Sequence, residues 1–208
     1  MKKVLLVCGV LSSLLYVGTD ILAGMLWKGY SFTDQAISEL SAIGAPTRPL
    51  VAPLLTIYIV LLLAFGFGVW RSAGRNRALR VTGGLWILIA LIGLAWTPFP
   101  MHLGEPVSSI ANTMHSIFAG IQVLLTLLAI GFGAAAYRNW FRFYSIGTIL
   151  TLLVAGVVGF GLAAAQGGIA PPPWFGVIER INVYGYLLWV VVLSIILLSE
   201  EKRPGAFR

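Results

Sequence analysis

The amino-acid sequence predicts an all-α membrane protein, a bundle of six transmembrane helices with both ends on the cytoplasmic side. Three observations carry that prediction. Of 208 residues, 59% are hydrophobic and only 10% are charged, whereas a soluble domain carries about a quarter charged residues. The apolar residues gather into six runs of about 20 residues, the length an α-helix needs to cross a bilayer. Between the runs stand short segments rich in Pro, Gly and basic residues. The whole chain, 1–208, reads as one transmembrane domain with little left for anything outside the membrane.

The first span runs from about Val4 to Trp27. Met1-Lys2-Lys3 before an apolar run resembles a signal peptide, but no small-x-small cleavage site precedes its end, so a retained signal-anchor helix is expected. Cys8, the single cysteine, lies in this run and can form no intramolecular disulfide. The second span covers about 49–70. The third covers about 81–97 and stops at Pro98 and Pro100. The fourth covers about 107–137. The fifth covers about 143–165, before Gly167-Gly168 and Pro171-Pro172-Pro173, and the sixth about 175–199.

Orientation follows from Lys and Arg. Lys2, Lys3, Arg71, Arg75, Arg77, Arg80, Arg138, Arg142, Lys202, Arg203 and Arg208 fall on one side, and Lys28, Arg48 and Arg180 on the other. The first group is placed in the cytoplasm because short loops rich in Lys and Arg stay inside. Trp70, Trp140 and Trp174 stand near span ends, where indoles favour the headgroup layer. The net charge of +7 is thus spent on topology. No nucleic-acid partner is expected, and membrane lipids are. Small residues at Ala155, Gly159 and Ala163, and at Gly131 and Ala135, allow close helix approach, either as ordinary packing or as a homodimer face.

The first outer loop, Gly29 to Gly44, is neither a span nor a featureless linker. Ser31 and Asp34 make a plausible capping box, Ile37, Leu40 and Ile43 share a face, and Gly44 and Pro46 end the segment. A short amphipathic helix is expected over about 32–43, lying across the outer mouth of the bundle as a lid, a structural cap or an interfacial helix.

The ionisable residues divide unequally. Glu200 and Glu201 are on the inner side. Asp20, Asp34, Glu39, Glu105, Glu179, His102 and His115 all fall on the outer side or in the outer part of a span. At 1.5 Å per residue Asp20 lies roughly 10 Å deep and His115 about 12 Å deep. Ser13, Tyr16 and Asp20 share a helix face; so do Ser108, Asn112, His115, Ala119 and Gln122; Glu179, Asn182 and Tyr186 form a third stripe. Polar stripes on apolar helices face the bundle interior or a wet cavity, because a charge facing lipid costs several kcal/mol.

Each residue has a structural and a functional reading. Asp20 with Arg180 fixes two helices as a buried ion pair, or leaves the planar donor fork of Arg180 to hold an anionic headgroup or carboxylate. His115 with Asp20, Glu179 or His102 could hold a metal, zinc being the natural one, or be a lone hydrogen-bonded histidine. Glu39 and Glu179 suit general bases or capping and pairing groups. Ser38 and Ser109 are the available hydroxyl nucleophiles. No G-x-S-x-G, H-E-x-x-H, Walker A or C-x-x-C pattern occurs.

The segment Tyr30-Ser31-Phe32-Thr33-Asp34-Gln35-Ala36-Ile37-Ser38-Glu39-Leu40-Ser41-Ala42, with Gly44 and Pro46 after it, resembles the bacterial membrane family called domain of unknown function 998. The likeness extends to Asp20, the Pro98-Phe99-Pro100 end of the third span, His115, and Glu179-Arg180 opening the sixth. It implies a six-helix protein of the bacterial inner membrane, without implying an activity. A looser similarity is to alkaline-ceramidase-like hydrolases, which use serine, aspartate and three histidines around zinc. This chain has two histidines and no H-x-x-x-H.

The expected function is a polar pocket open to the outer leaflet, binding a lipid headgroup or small amphiphile. Asp20, Glu39, His115, Glu179 and Arg180 would line it, with Ser38, Asn112, Asn182 and His102 in support. Alternatives are a metal-assisted hydrolase of a lipid-like substrate, with His115, Asp20 and His102 as candidate ligands, and a small-solute transporter. Against transport, no internal repeat or broken mid-membrane helix is evident.

Overall fold

A computed structural model describes residues 1–106, 108–138, 140–165 and 172–201, without the side chains of 160 and 162–165. Val107, Ala163 as a packing residue, Gly167-Gly168, Pro171 and the basic residues Lys202, Arg203 and Arg208 lie outside the described residues. Six helices are long and apolar enough to cross a membrane: α1 (Lys2–Leu26), α2 (Arg48–Ser72), α3 (Arg77–Trp96), α4 (Ile110–Ala136), α5 (Trp140–Ala165) and α6 (Phe175–Glu201). Among the described residues there is no β-strand, only one isolated bridge between Ile43 and His102.

Helix starts follow local chemistry. Pro49 sits in the first turn of α2, where a missing N–H removes no helical hydrogen bond. Asn76 caps α3 by accepting the Leu79 N–H at 3.0 Å, and Ser109 caps α4 by accepting the Asn112 N–H at 3.3 Å.

Each helix packs on its sequence neighbour, and α6 returns to α1, so the six close into a ring. The centre is filled by aromatic side chains. Phe65 (α2), Trp86 (α3), Phe141 (α5) and Trp189 (α6) are all fully buried. Trp86 and Trp189 stack at 6.1 Å, and the Trp189 indole donates to Ser145 Oγ at 2.8 Å. Close backbone approach sets the α2–α3 pair, since a Cβ on Gly83 would come within 2.5 Å of the Trp70 backbone nitrogen. Ala155 is buried, and a Cβ on Gly159 would lie 3.1 Å from Ile178, so those small residues face α6 of the same chain.

Lys2 Nζ lies 3.2 Å from Glu201 Oε1, so the start of α1 and the end of α6 meet at one end of the bundle. Arg71 at the end of α2, Arg75 in the α2–α3 connection, and Arg77 and Arg80 at the start of α3 stand at that end. The first loop, residues 27–47, and the α3–α4 connection, residues 97–109, cover the other.

The first loop differs from the amphipathic helix expected over 32–43. Its regular part is a 3-10 segment, Ile37–Ser41. Residues 31–35 make one turn, with Gln35 N–H donating to the Ser31 carbonyl at 2.8 Å, and Ala36 is then extended, with φ −68° and ψ 149°. The physical reason lies in α6, which takes the groups that a helix here would need. Val177 N–H donates to the Thr33 carbonyl, Arg180 donates to the carbonyls of Phe32 and Gln35, and Ile37 N–H donates to Glu179. Gly29 and Gly44, with φ of +89° and +93°, provide the left-handed turns at either end of the loop.

Candidate functional site

The loop folds into the bundle end as a plug. Ala36, Ile37, Leu40, Ala42 and Ala45 are buried, and Ile37 and Leu40 form a small apolar cluster with Ala23 and Val51. Polar groups beneath and beside this cluster come from α1, the loop and α6. Six residues separate Asp20 from the end of α1 and five separate Arg180 from the start of α6, so both lie roughly 8–9 Å below their helix ends.

Arg180 is the centre. Its Nε donates to Asp20 Oδ2 at 3.0 Å and its Nη2 to Asp20 Oδ1 at 2.8 Å, a two-pronged ion pair. Nη2 also donates to the Tyr30 hydroxyl at 2.8 Å. Nη1 faces the carbonyls of Phe32 (2.8 Å), Gln35 (3.1 Å) and Gly176 (3.1 Å). The guanidinium carbon lies 5.0 Å from the Phe32 ring centre and 5.7 Å from that of Tyr30. A guanidinium has five N–H groups, and every nitrogen here already has its acceptors. Asp20 is 2% exposed and accepts a further hydrogen bond from the Tyr184 hydroxyl at 2.5 Å.

Two more carboxylates complete the layer. Glu179 accepts the Ile37 N–H at 2.5 Å. Glu39, 7% exposed, accepts the Ala36 N–H at 2.9 Å and the Gln35 side-chain N–H at 2.8 Å. Asp34, at the loop edge, accepts the Trp174 N–H at 3.0 Å and the Ser31 hydroxyl at 2.9 Å. Those two bonds, the Trp174 one first, hold its carboxyl below the usual carboxylate range. Burial pushes the Tyr30 phenol up to about 12, against the opposing pull of Arg180.

Four of the five residues expected to line a pocket, Asp20, Glu39, Glu179 and Arg180, therefore meet in one layer. His115 does not join them. It sits on α4, between α3 and α5 in the ring, and its ring lies 4.7 Å from that of Trp96. His102 pairs with Glu105 at 3.0 Å in the α3–α4 connection. Asn112 is buried and holds that connection: its Oδ1 accepts the His102 N–H, and its Nδ2 donates to the carbonyls of His102, Glu105 and Pro106. Ser38 donates to the Met101 sulfur at 3.7 Å. Asn182 turns toward α5, where its amide meets the Leu152 carbonyl and the Gly156 N–H. It does so because a residue three positions on is rotated by about 60° from Glu179 around the helix. His115, Asp20 and His102 are not a ligand set, and among the described residues no group of three His, Cys, Asp or Glu could hold a metal ion.

Tyr16 and Tyr186 belong to the polar stripes expected from sequence, but the Tyr30 and Tyr184 hydroxyls are the part that sequence reasoning missed. Tyr30 and Tyr184 both bond the ion pair, and the Tyr58 and Tyr186 hydroxyls lie 3.1 Å apart below. Tyr184 stands four residues after Arg180, one turn away on the same face, and that spacing was the available signal.

Beside this layer an apolar groove of about 500 Å³ runs between α5 and α6, lined by Leu150, Val154, Val158, Ile178 and Ile181 among others. Ile178 and Ile181 bracket Glu179 and Arg180 on α6.

A family model described as "Protein of unknown function (DUF998)" matches residues 10–196. No curated protein and no solved structure matches the chain.

Proposed function

The chain belongs to the DUF998 family of proteins of unknown function, and on that footing we propose that this integral membrane protein binds the headgroup of a lipid or small amphiphile at the layer beneath its first loop. The supporting observation is a juxtaposition. Asp20, Glu39 and Glu179 set three carboxylates against one guanidinium, and the apolar groove between α5 and α6 opens one residue away from them, at Ile178 and Ile181. Head and tail of one amphiphile would be served by neighbouring surfaces.

The state of Arg180 decides which headgroup fits. Its donors are already taken by Asp20, Tyr30 and backbone carbonyls, so an anionic head finds no free fork. A head that brings its own N–H or O–H donors matches the excess of carboxylate. We assign the ligand as an amine- or hydroxyl-bearing amphiphile, reached from the leaflet opposite the arginine-rich end, with that end in the cytoplasm of a bacterial inner membrane.

Native mass spectrometry of the protein released from mixed phosphatidylethanolamine and phosphatidylglycerol tests the reading. Retention of the amine lipid by the native chain, reduced about tenfold to a hundredfold in affinity by Glu179→Gln, is expected, since a hydrogen bond to a charged group contributes about 1.5–3 kcal/mol. Equal loss of both lipids at the lowest activation energy would sink it.

A further inference from the structure

We propose that His115 is a second, separate binding point, which takes the hydroxyl of a neutral lipid alcohol. This site lies on the α3–α4 side of the ring, away from the Asp20–Arg180 layer, and does not depend on that layer's reading.

His115 is five residues into α4, so roughly 8 Å below its start, the depth of the ester and hydroxyl region of a leaflet. Its Nδ1 is buried and has no hydrogen-bond partner. Leaving a buried polar atom unmet costs about 1–3 kcal/mol, so the membrane state should supply a partner. Of the neighbouring protein groups, the Phe99 backbone bonds the imidazole but leaves Nδ1 unmet, and the others are already engaged. Asn112, one turn above, uses its whole amide on the α3–α4 connection. Ser116 donates to the Asn112 carbonyl at 2.9 Å. Gln122 is two turns deeper, beside Gly93.

The surroundings select the partner. Trp96 lies 4.7 Å from the His115 ring and stacks on Phe118 at 6.1 Å, and Phe118 stacks on Phe99 at 5.6 Å. This is an aromatic shelf for hydrocarbon, and it reaches the surface, because Phe99 is 40% exposed and Ile117 is 50% exposed. The shelf residues carry no positive charge, and the nearest charged side chain of the α3–α4 connection, Glu105, is acidic and paired with His102. The shelf itself offers a phosphate no cation. A hydroxyl can donate to or accept from an imidazole nitrogen in either tautomer, so an uncharged amphiphile with one hydroxyl and a long or unsaturated chain fits. Among the described residues two other buried atoms lack a partner, Trp86 Nε1 and Tyr144 Oη. Trp86 is sealed in the core with no exposure, so a lipid cannot reach it.

The test uses full-length protein in lipid nanodiscs, with His102→Gln so that His115 is the only histidine. Its ring nitrogens are followed by ¹⁵N NMR during addition of dioleoylglycerol, of a polyprenol, or of phosphatidylglycerol as the charged control. A saturating shift of the Nδ1 resonance with one or both alcohols and none with phosphatidylglycerol is expected, and the two alcohol arms separate glycerolipid from isoprenoid. A resonance that does not respond to either alcohol overturns the proposal, including the case of a nitrogen already bonded to water. Photo-crosslinking with a diazirine-bearing diacylglycerol gives a second readout. Labelling at Trp96, Phe99 or Phe118 should saturate and fall about threefold to tenfold in His115→Phe, the effect of one lost hydrogen bond. Labelling equal in both proteins would contradict it.

Discussion

Arg180 of α6 grips Asp20 of α1 with two parallel hydrogen bonds of 3.0 and 2.8 Å, and so joins the last helix of the ring to the first. The side chains are 11% and 0% exposed, which makes this a buried pair. Removing one partner of such a pair destabilises by about 3–5 kcal/mol, because the other charge is left alone. Arg180→Ala is therefore expected to lose about that much in equilibrium unfolding measured in bilayers. The double replacement Asp20→Leu with Arg180→Met should lose clearly less. If the double variant is as unstable as the sum of the singles, the pair is not the source of the loss.

Gly176 faces the loop, where an added Cβ would run into the carbonyl oxygens of Gln35 and Phe32. Both carbonyls are Arg180 acceptors. Gly176→Ala should therefore displace the loop from α6 and destabilise by about 1–3 kcal/mol, the usual scale for overpacking. Faster protease cleavage within 30–41, with the rest of the chain unchanged, is the expected signature.

Asn112 makes its bonds to both backbone groups of His102 and to two further carbonyls. Asn112→Ala leaves these without a partner and should cost about 2–3 kcal/mol. Faster hydrogen exchange at the His102 amide, without change at Ile37, checks it.

Stability should also fall at high pH through Tyr30. An unfolded tyrosine has a pKa near 10, and burial raises it to about 12 in the fold. The folded state holds this proton more tightly, so the stabilisation is complete below about pH 10 and disappears between about pH 10 and 12. The difference in phenolate absorbance between the native chain and Tyr30→Phe should show one group titrating near pH 12, and a difference that titrates near pH 10 would contradict it. Asp34 acts in the opposite sense. Its lowered pKa adds stability at neutral pH that is lost as pH falls through the acid range, and Asp34→Asn should flatten that acid limb.

How far these features are legible from sequence varies with the physics behind them. The six spans are legible because the bilayer demands a long apolar run for each, and observed helix limits fall within a few residues of those runs. The layer of Asp20, Glu39, Glu179 and Arg180 is legible from depth, since each lies close to the same end of its element. Depth, however, says nothing about position around the ring. His115 lies at a similar depth, yet α4 stands between α3 and α5 in the ring and meets α6 only toward the other end, at Gly133 and Tyr137. The loop is misread for a related reason. Ile37, Leu40 and Ile43 suggest a helix when only local spacing is considered, but the hydrogen-bond partners of Thr33, Gln35 and Ile37 are on α6, some 140 residues later.

That long reach has a consequence for biosynthesis. Asp20 enters the membrane with α1, and its cation lies 160 positions further along the chain. Until α6 has been threaded, a carboxyl group sits inside α1 without its counter-ion, a burden of about 3 kcal/mol on insertion scales. The apolar surplus of α1 must carry that burden unaided, and residues 30–41 must wait in solution for their seat. A nascent chain arrested before Phe175 should keep those loop residues open to labelling, and one arrested after α6 has left the ribosome should protect them. Assembly of this bundle is in this sense completed only by α6.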